Sequence, residues 1–471
     1  MQDLSQNPSQ NKMGTMPIPK VLLNMGIPII LSMVLQACYN IVDSIFVARM
    51  SDYGGILHAG EYAVNALTLA FPIQMLIVAL GIGTGVGVNA LMANQLGQNN
   101  RKGVAQTAGN GISLGIFIFI LFFAFGLFGI DVYLKTQTSN PIILKMGHDY
   151  LKVCCLMSFG ICLYTIFEKL LQATGKTVYS TIGQIAGALT NIILDPIMIY
   201  GLLGFPRLNV TGAALATVIG QIVSMAIAMG FHCSKNKEVP NGAAYLKLHK
   251  DTLKKIYVIG LPAIIMQALM SFMTYGINII FGLVSEQAVT AYGIFYKIQQ
   301  FLFFAAFGLR DAITPLIAFN HGRRNRRRVQ SGIRYGLLDT EVIMLAGTIV
   351  LELFGEPLVS IFGLTSQTAA LCVLAVRIIS IGFLFAGINI AGQGIFQALE
   401  CGWSSLVISL LRLCVVVLPL AYWFTTFAHA TKMIWMAFPI AEGVTLIFTI
   451  ILLKRTYRRL VLTIPLPNNT I

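Results

Sequence analysis

The sequence predicts an all-α polytopic membrane protein of about twelve transmembrane helices in two pseudo-symmetric six-helix bundles, a 6+6 layout. Three observations carry that expectation. Apolar segments long enough to cross a bilayer recur from Leu22 to Leu453. The basic residues gather in alternate short loops. Motifs of the first half return in the second at a steady spacing. The chain of 471 residues is 56% hydrophobic and only 11% charged, with a mean hydropathy of +0.78, which excludes an ordinary soluble globular protein.

Taken in order, the apolar spans fall near 21–49, 62–96, 104–130, 142–172, 178–203 and 211–233, then 254–284, 288–320, 330–355, 367–398, 402–425 and 432–453. Several exceed the roughly 20 residues a bilayer requires, so tilting or extension beyond the lipid is expected. Arg101 and Lys102, Lys169 and Lys176, Lys235 through Lys255, Arg323 through Arg328, and Lys454, Arg455, Arg458 and Arg459 all fall on one side. The alternate loops carry Asp52, Glu61, Asp131, Glu286 and Glu356. Both termini are therefore expected to be cytoplasmic, with the protein in a prokaryotic plasma membrane. The same distribution explains the formal charge of +14 and leaves no nucleic-acid partner to expect. The polar start of the chain leads straight into a long helix, so a cleaved leader is not expected.

The linker 234–253 divides an N-lobe, 21–233, from a C-lobe, 254–453, with tails at 1–20 and 454–471. The second span ends VNALMANQLGQNNRKGV and the eighth ends ITPLIAFNHGRRNRRRV. Gly97 answers Gly322 (322 − 97 is 225) and Val104 answers Val329 at the same offset, as Gln172-Ala173 answers Gln397-Ala398 and Lys152 answers Arg377. Near the starts, GIPIILSMVLQ answers GLPAIIMQALM, setting Pro28 against Pro262. Six spans return the chain to its starting side, so the repeats run parallel, a common transporter design with the substrate path at their interface.

Chemistry concentrates in the first half. The fifth span reads GQIAGALTNIILDPIMIYG, an apolar run holding Asn191, Asp195 one turn later, and then Pro196. An Asp at the bilayer centre costs about 2.5–3.5 kcal/mol on insertion scales and so needs a partner, a proton or water. Pro196 removes a backbone donor beside it. The first span carries Tyr39, Asn40 and Asp43, with the first two a turn before the acid on its face. Counting about 1.5 Å per residue from each span's start places Asp43, Tyr150, Asn191, Asp195 and Thr217 in one layer of the outer half. Tyr150 or Thr217 alone would read as an ordinary interhelical hydrogen bond. Two aspartates converging at one depth read differently. They cannot comfortably both ionise in an apolar cavity, so the pair is expected to take up and release a proton in the working range. The second half has no such pair: Asn278 is the nearest match to Asp43, and Leu418 stands before Pro419 as Asp195 does before Pro196.

These residues carry a family resemblance. Pro28 and Asp43, the stretch NIILDP (191–196), GAALAT (212–217), and the endings NQLG and FNHG resemble the multidrug and toxic compound extrusion (MATE) family, in its bacterial and archaeal branch of DinF-like and MepA-like exporters. The likeness covers about 20 to 455. It implies that Asp43, Asp195, Asn191, Tyr39, Tyr150 and Thr217 form a cation or proton coupling network. It implies also that Pro28 is where the first helix bends, and that organic cations and amphiphilic drugs leave in exchange for H⁺ or Na⁺. Family members often have uncharged residues where Arg310 and Asp311 stand. Those two can be read as an inner gate, pairing with Arg334, Asp339 or Glu341, or as a structural ion-pair cluster.

Other residues have plainer readings. Gln267, Met273, Asn278 and Gln299 are candidates for a substrate cleft, since thioethers and neutral polar groups accept varied cations. Arg412 and Glu442 lie deep enough to pair with each other. The eight cysteines sit almost wholly in apolar runs and the six histidines near span ends or in loops. Neither gives a metal pattern, so no cofactor, resident metal or enzymatic constellation is expected. The alternatives are a flippase for a lipid-linked precursor on a related fold, or a membrane-embedded enzyme. The first would want more spans and a basic cavity, the second a catalytic set within the bilayer. A monomer is the expected state.

Overall fold

The computed structural model describes residues 11–51, 59–240, 242–362 and 364–465, without the side chains of Asn40, Ile41 and Ser44. Asn40 as a site residue, the loop acid Asp52 and the extreme tails therefore lie outside the described residues. Every regular element among the described residues is helical. Among these residues ten helices are long and apolar enough to cross a membrane, and twelve spans result if each of two bent pairs counts as one.

The bent pairs are the fourth span, Pro141–Leu156 with Phe159–Ala173, and the tenth, Ser366–Ile381 with Phe383–Ala398, with bends of 45° and 54°. Met157 and Gly382 at the breaks differ by 225 (382 − 157), the offset of the sequence repeat. A break at matching positions of both halves is a shared feature of the repeat, and the apolar pattern alone does not reveal it.

The chain forms two compact units. One comprises Leu31–Met92 and Arg101–Ile256. Its core holds Val47, Ala63, Ala66, Ala70, Tyr150, Leu151, Ile199 and Ala213. Small residues let its helices approach closely: a Cβ on Gly220 of the sixth span (Asn209–Lys235) would lie 2.6 Å from the carbonyl oxygen of Gly187 in the fifth (Thr177–Tyr200). The linker is tied to this unit. Asn110 donates to the carbonyls of Tyr245 and Lys247 and accepts from His249 N–H at 2.8 Å. Lys176 donates to the carbonyl of Lys235 at 2.7 Å. Burial pushes its ammonium below the usual lysine range, against the pull of Glu238 at 3.7 Å.

The other unit comprises Met1–Ile30, Ala93–Asn100 and Tyr257–Ile471. Its core is aromatic, with Phe281, Tyr292, Phe295, Phe303, Phe383 and Trp435 buried together. The repeat endings meet here. A Cβ on Gly97 would strike the carbonyl oxygen of Phe319, and one on Gly322 would strike that of Asn94. Asn94 and Phe319 are themselves 225 apart, so the two contacts are one contact made twice, as a pseudo-two-fold demands. The first helix, Ile18–Ala48, passes from one unit to the other between Ile30 and Leu31, two residues after Pro28.

Candidate ion-binding site

Four spans of the first-described unit bring the polar residues together. Asp195 is 0% exposed and Asn191 3%. Earlier in their helix, Gly183 and Gly187 lie against the sixth span, which lets Asn191 press its Cβ towards Gly220. From there Asn191 Nδ2 donates to Asp195 Oδ1 at 3.2 Å and to Thr217 Oγ1 at 3.4 Å. The one-turn spacing of Asn191 and Asp195 makes the first bond a local consequence of the helix. The second depends on the close crossing.

Asp43 of the first span reaches the same spot, its carboxyl in hydrogen-bonding range of that of Asp195. Tyr39, half-buried one turn earlier, lies within electrostatic reach of both acids. Tyr150 is 3% exposed and lies within reach of Asp43. Its hydroxyl accepts from Gln74 Nε2 at 3.0 Å. Tyr200 holds the C-terminal end of the first helix by donating to the carbonyl of Phe46 at 2.7 Å. Among the described residues, three acceptor oxygens are buried here without a hydrogen-bond partner: Asp43 Oδ1, Asn191 Oδ1 and Asp195 Oδ2. Two carboxylates with unpartnered oxygens in an apolar surround call for a proton on one of them or a cation held by several.

Gln74 is the residue that sequence reasoning passed over. Its signal was present: an amide in the middle of an apolar span, two residues after Pro72, in the helix Ala59–Gly97. Only the fold shows that it faces Tyr150.

The remaining candidates lie elsewhere. Pro28 sits inside the first helix, and around it that helix presses hard on the eighth span, Glu286–Gly322. A Cβ on Gly308 would come within 2.9 Å of the backbone nitrogen of Ile30, and one on Gly26 within 2.9 Å of Leu309. Arg310 pairs with its own neighbour, donating to Asp311 Oδ1 from Nε at 3.0 Å and Nη2 at 2.9 Å, with its guanidinium 5.0 Å from the Phe307 ring centre. Met273 is buried in the aromatic core, Gln267 and Gln299 are half-buried and Asn278 is exposed. In this second half Leu418, in the place before Pro419, rests its side chain on Gly276.

That second half holds its own buried polar cluster. Arg412 forms an ion pair with Glu442, and Asn389 donates to Glu442 Oε2 at 2.9 Å while accepting from Thr449 at 2.7 Å. Arg412 lies in a π-helical turn, Leu411–Val415, and over the Phe303 ring. Here the acid is neutralised by a fixed arginine, whereas Asp195 is met by the neutral amide of Asn191 and by a second acid, Asp43.

Fold and site thus define a class: a polytopic helical membrane protein with a tandem repeat and a buried carboxyl pair in one unit. The MatE family model matches residues 28–197 and 262–423, one segment in each half. The chain belongs to this family, the MATE transporters. It is 26% identical over 423 residues to the multidrug export protein MepA of Staphylococcus aureus strain MRSA252, covering 89% of this chain and 90% of that one. Among solved structures it resembles a multidrug resistance MATE family transporter of the MOP superfamily in an outward-facing conformation. That match has 22% identity and a TM-score of 0.87, and covers 95% of this chain and 98% of the other. It resembles equally a MATE structure in a straight conformation, with the same identity, score and coverage.

Proposed function

We propose that this chain is a secondary active exporter of organic cations and other amphiphilic drugs, driven by the inward movement of H⁺ or Na⁺ at the Asp43–Asp195 pair. The observation that carries the reading is the set of three buried oxygens on Asp43, Asn191 and Asp195 that have no partner among the described residues. A site built this way binds a small cation or a proton, and its charge changes when it does. The export of drugs rests on family membership and on the named activity of the staphylococcal relatives. The protein is taken to work as a monomer in the plasma membrane, with the basic loops and both termini cytoplasmic. An acid pair suits a cation-coupled exporter better than a carrier of anionic lipid-linked precursors, which would want a basic cavity.

In the cycle, the charged pair keeps the outer half of its unit open to water. Neutralising it removes the cost of enclosing a charge, and the helices can then close on one another. The first helix runs through both units and carries Pro28 at the change, so it is the lever. Ion and drug then compete for the outward-open state, each expelling the other by linkage.

The test is uptake of a fluorescent organic cation into inverted vesicles under separately imposed proton and sodium gradients. Uptake driven by one gradient, and lost in Asp195→Asn, supports the reading. Equal uptake with neither gradient would sink ion coupling, and Asp195→Asn with full coupled uptake would displace the site.

A further inference from the structure

We infer that the C-terminal end of the twelfth span forms a binding site for an anionic phospholipid, with an acyl chain held in an apolar crevice and the phosphate held by basic residues beside it. The crevice has a volume of about 170 Å³, walled by Ile333 and Leu337 of the ninth span, Ile395 and Leu399 of the tenth, and Leu453 of the twelfth, with Lys454 and Tyr457 completing it. A cavity of about this size holds a benzene-sized apolar group, and hence a stretch of one acyl chain. Lys454 is exposed, so the crevice reaches the surface where the span ends.

The charge lies on the same face. Arg326, Gln330, Ile333 and Leu337 follow one another at spacings of four, three and four, forming a single stripe of the helix Arg326–Ser360. Gln330 donates to Tyr457 OH at 2.7 Å, binding that stripe to the twelfth span at the crevice. One turn along, Arg326 Nε is buried and has no hydrogen-bond partner among the described residues. The span ends in a π-helical turn, Tyr457–Val461, which widens the backbone where the crevice lies and carries Arg458 and Arg459 to the surface with Arg455. His321 meets the backbone of Leu460 from the other side, and Glu400, the acid near it, is held by Asn94 at 2.8 Å.

An apolar slot that opens among cations at a membrane surface suits a molecule with a long chain and a negative head. A cationic drug would be repelled by this charge. A free phosphate would gain nothing from the apolar wall. The bilayer supplies the remaining candidate in excess.

The experiment is native mass spectrometry of delipidated full-length protein titrated with phosphatidylglycerol or phosphatidylcholine of identical chains. Phosphatidylglycerol should be retained in preference, and Lys454→Gln and Arg326→Gln should each lower its affinity about fivefold, leaving phosphatidylcholine unchanged. Ile333→Phe, which fills the slot, should also weaken phosphatidylglycerol, while Lys454→Arg should keep wild-type affinity. Equal retention of the two lipids would overturn the proposal, as would unchanged affinity in the Lys454→Gln/Arg326→Gln double variant. So would displacement by glycerol phosphate, which shows a phosphate site without a lipid. A loss in Lys454→Arg as large as in Lys454→Gln would make the effect structural and reject it equally.

Discussion

Asn191 illustrates how one side chain serves both fold and site. Its amide N–H group bridges Asp195 and Thr217, while its carbonyl oxygen, beside the acids, has no partner among the described residues. Asp195→Asn preserves shape but cannot change charge. It should abolish ion-coupled uptake, by at least tenfold, with expression and monodispersity close to wild type. Gln74→Leu removes the partner of Tyr150. Interhelical hydrogen bonds in membranes are worth about 0.6 kcal/mol on average and about 1.7 at most. The variant should therefore show a threefold to roughly eighteenfold weaker dependence of uptake on the driving ion, read from the ion concentration giving half-maximal rate. No change in that concentration would return Gln74 to simple packing.

At the scale of elements, the first helix is the one to watch. Its first turns pack on the eighth span through Gly26 and Gly308, and its later turns carry Tyr39 and Asp43. Pro28 lies just before the change of unit, with a backbone bond already missing. Pro28→Ala restores that bond, so turnover should fall while drug affinity, measured by binding to purified protein, stays within about twofold. Equal turnover at matched expression would remove the hinge. The glycine crossing makes a different claim. Gly97→Ala puts a methyl against the carbonyl of Phe319, which is backbone and cannot rotate away. Overpacking of this sort costs about 1–3 kcal/mol and should appear as a lower melting temperature in detergent. Arg412 belongs to the same scale. Removing one member of a buried ion pair costs about 3–5 kcal/mol because its partner is left charged and alone. Arg412→Met should destabilise accordingly, and adding Glu442→Leu should recover much of the loss. A double variant no more stable than the single would mean that Arg412 matters for packing over Phe303 and not for its charge.

The whole molecule is a repeat that kept its architecture and diverged in its chemistry. Both halves break their fourth helix at matching positions, and both lend a glycine to the same symmetric crossing. Among the described residues, it is the first half that sets two acids, Asp43 and Asp195, face to face. The second half has Leu418 against Gly276, and its buried Glu442 is already matched by Arg412. Ion coupling should therefore be confined to the first half. Asn278→Ala should alter drug affinity or nothing, and leave the pH profile of uptake in place. A profile displaced by a full pH unit would show that the ion site has been misplaced.

Residue order alone was enough to give the class of the protein, since backbone groups in lipid must pair within helices and apolar length then counts the spans. It determined the repeat too, because Gly97 and Gly322 keep one offset wherever they pack. Asp43, Asn191 and Asp195 were legible because charge inside an apolar run is costly and therefore conspicuous. The meetings of distant residues came from the packing. Gln74 facing Tyr150 and Asn191 bridging to Thr217 depend on how helices cross and turn about their axes, while Arg310 turning to its own neighbour Asp311 is a local choice that the order of residues left open. Hydropathy carries no information on that rotation, because lipid and a neighbouring helix are equally apolar. The breaks at Met157 and Gly382 were hidden for the same reason: a bend between two apolar helices leaves the apolar pattern unbroken.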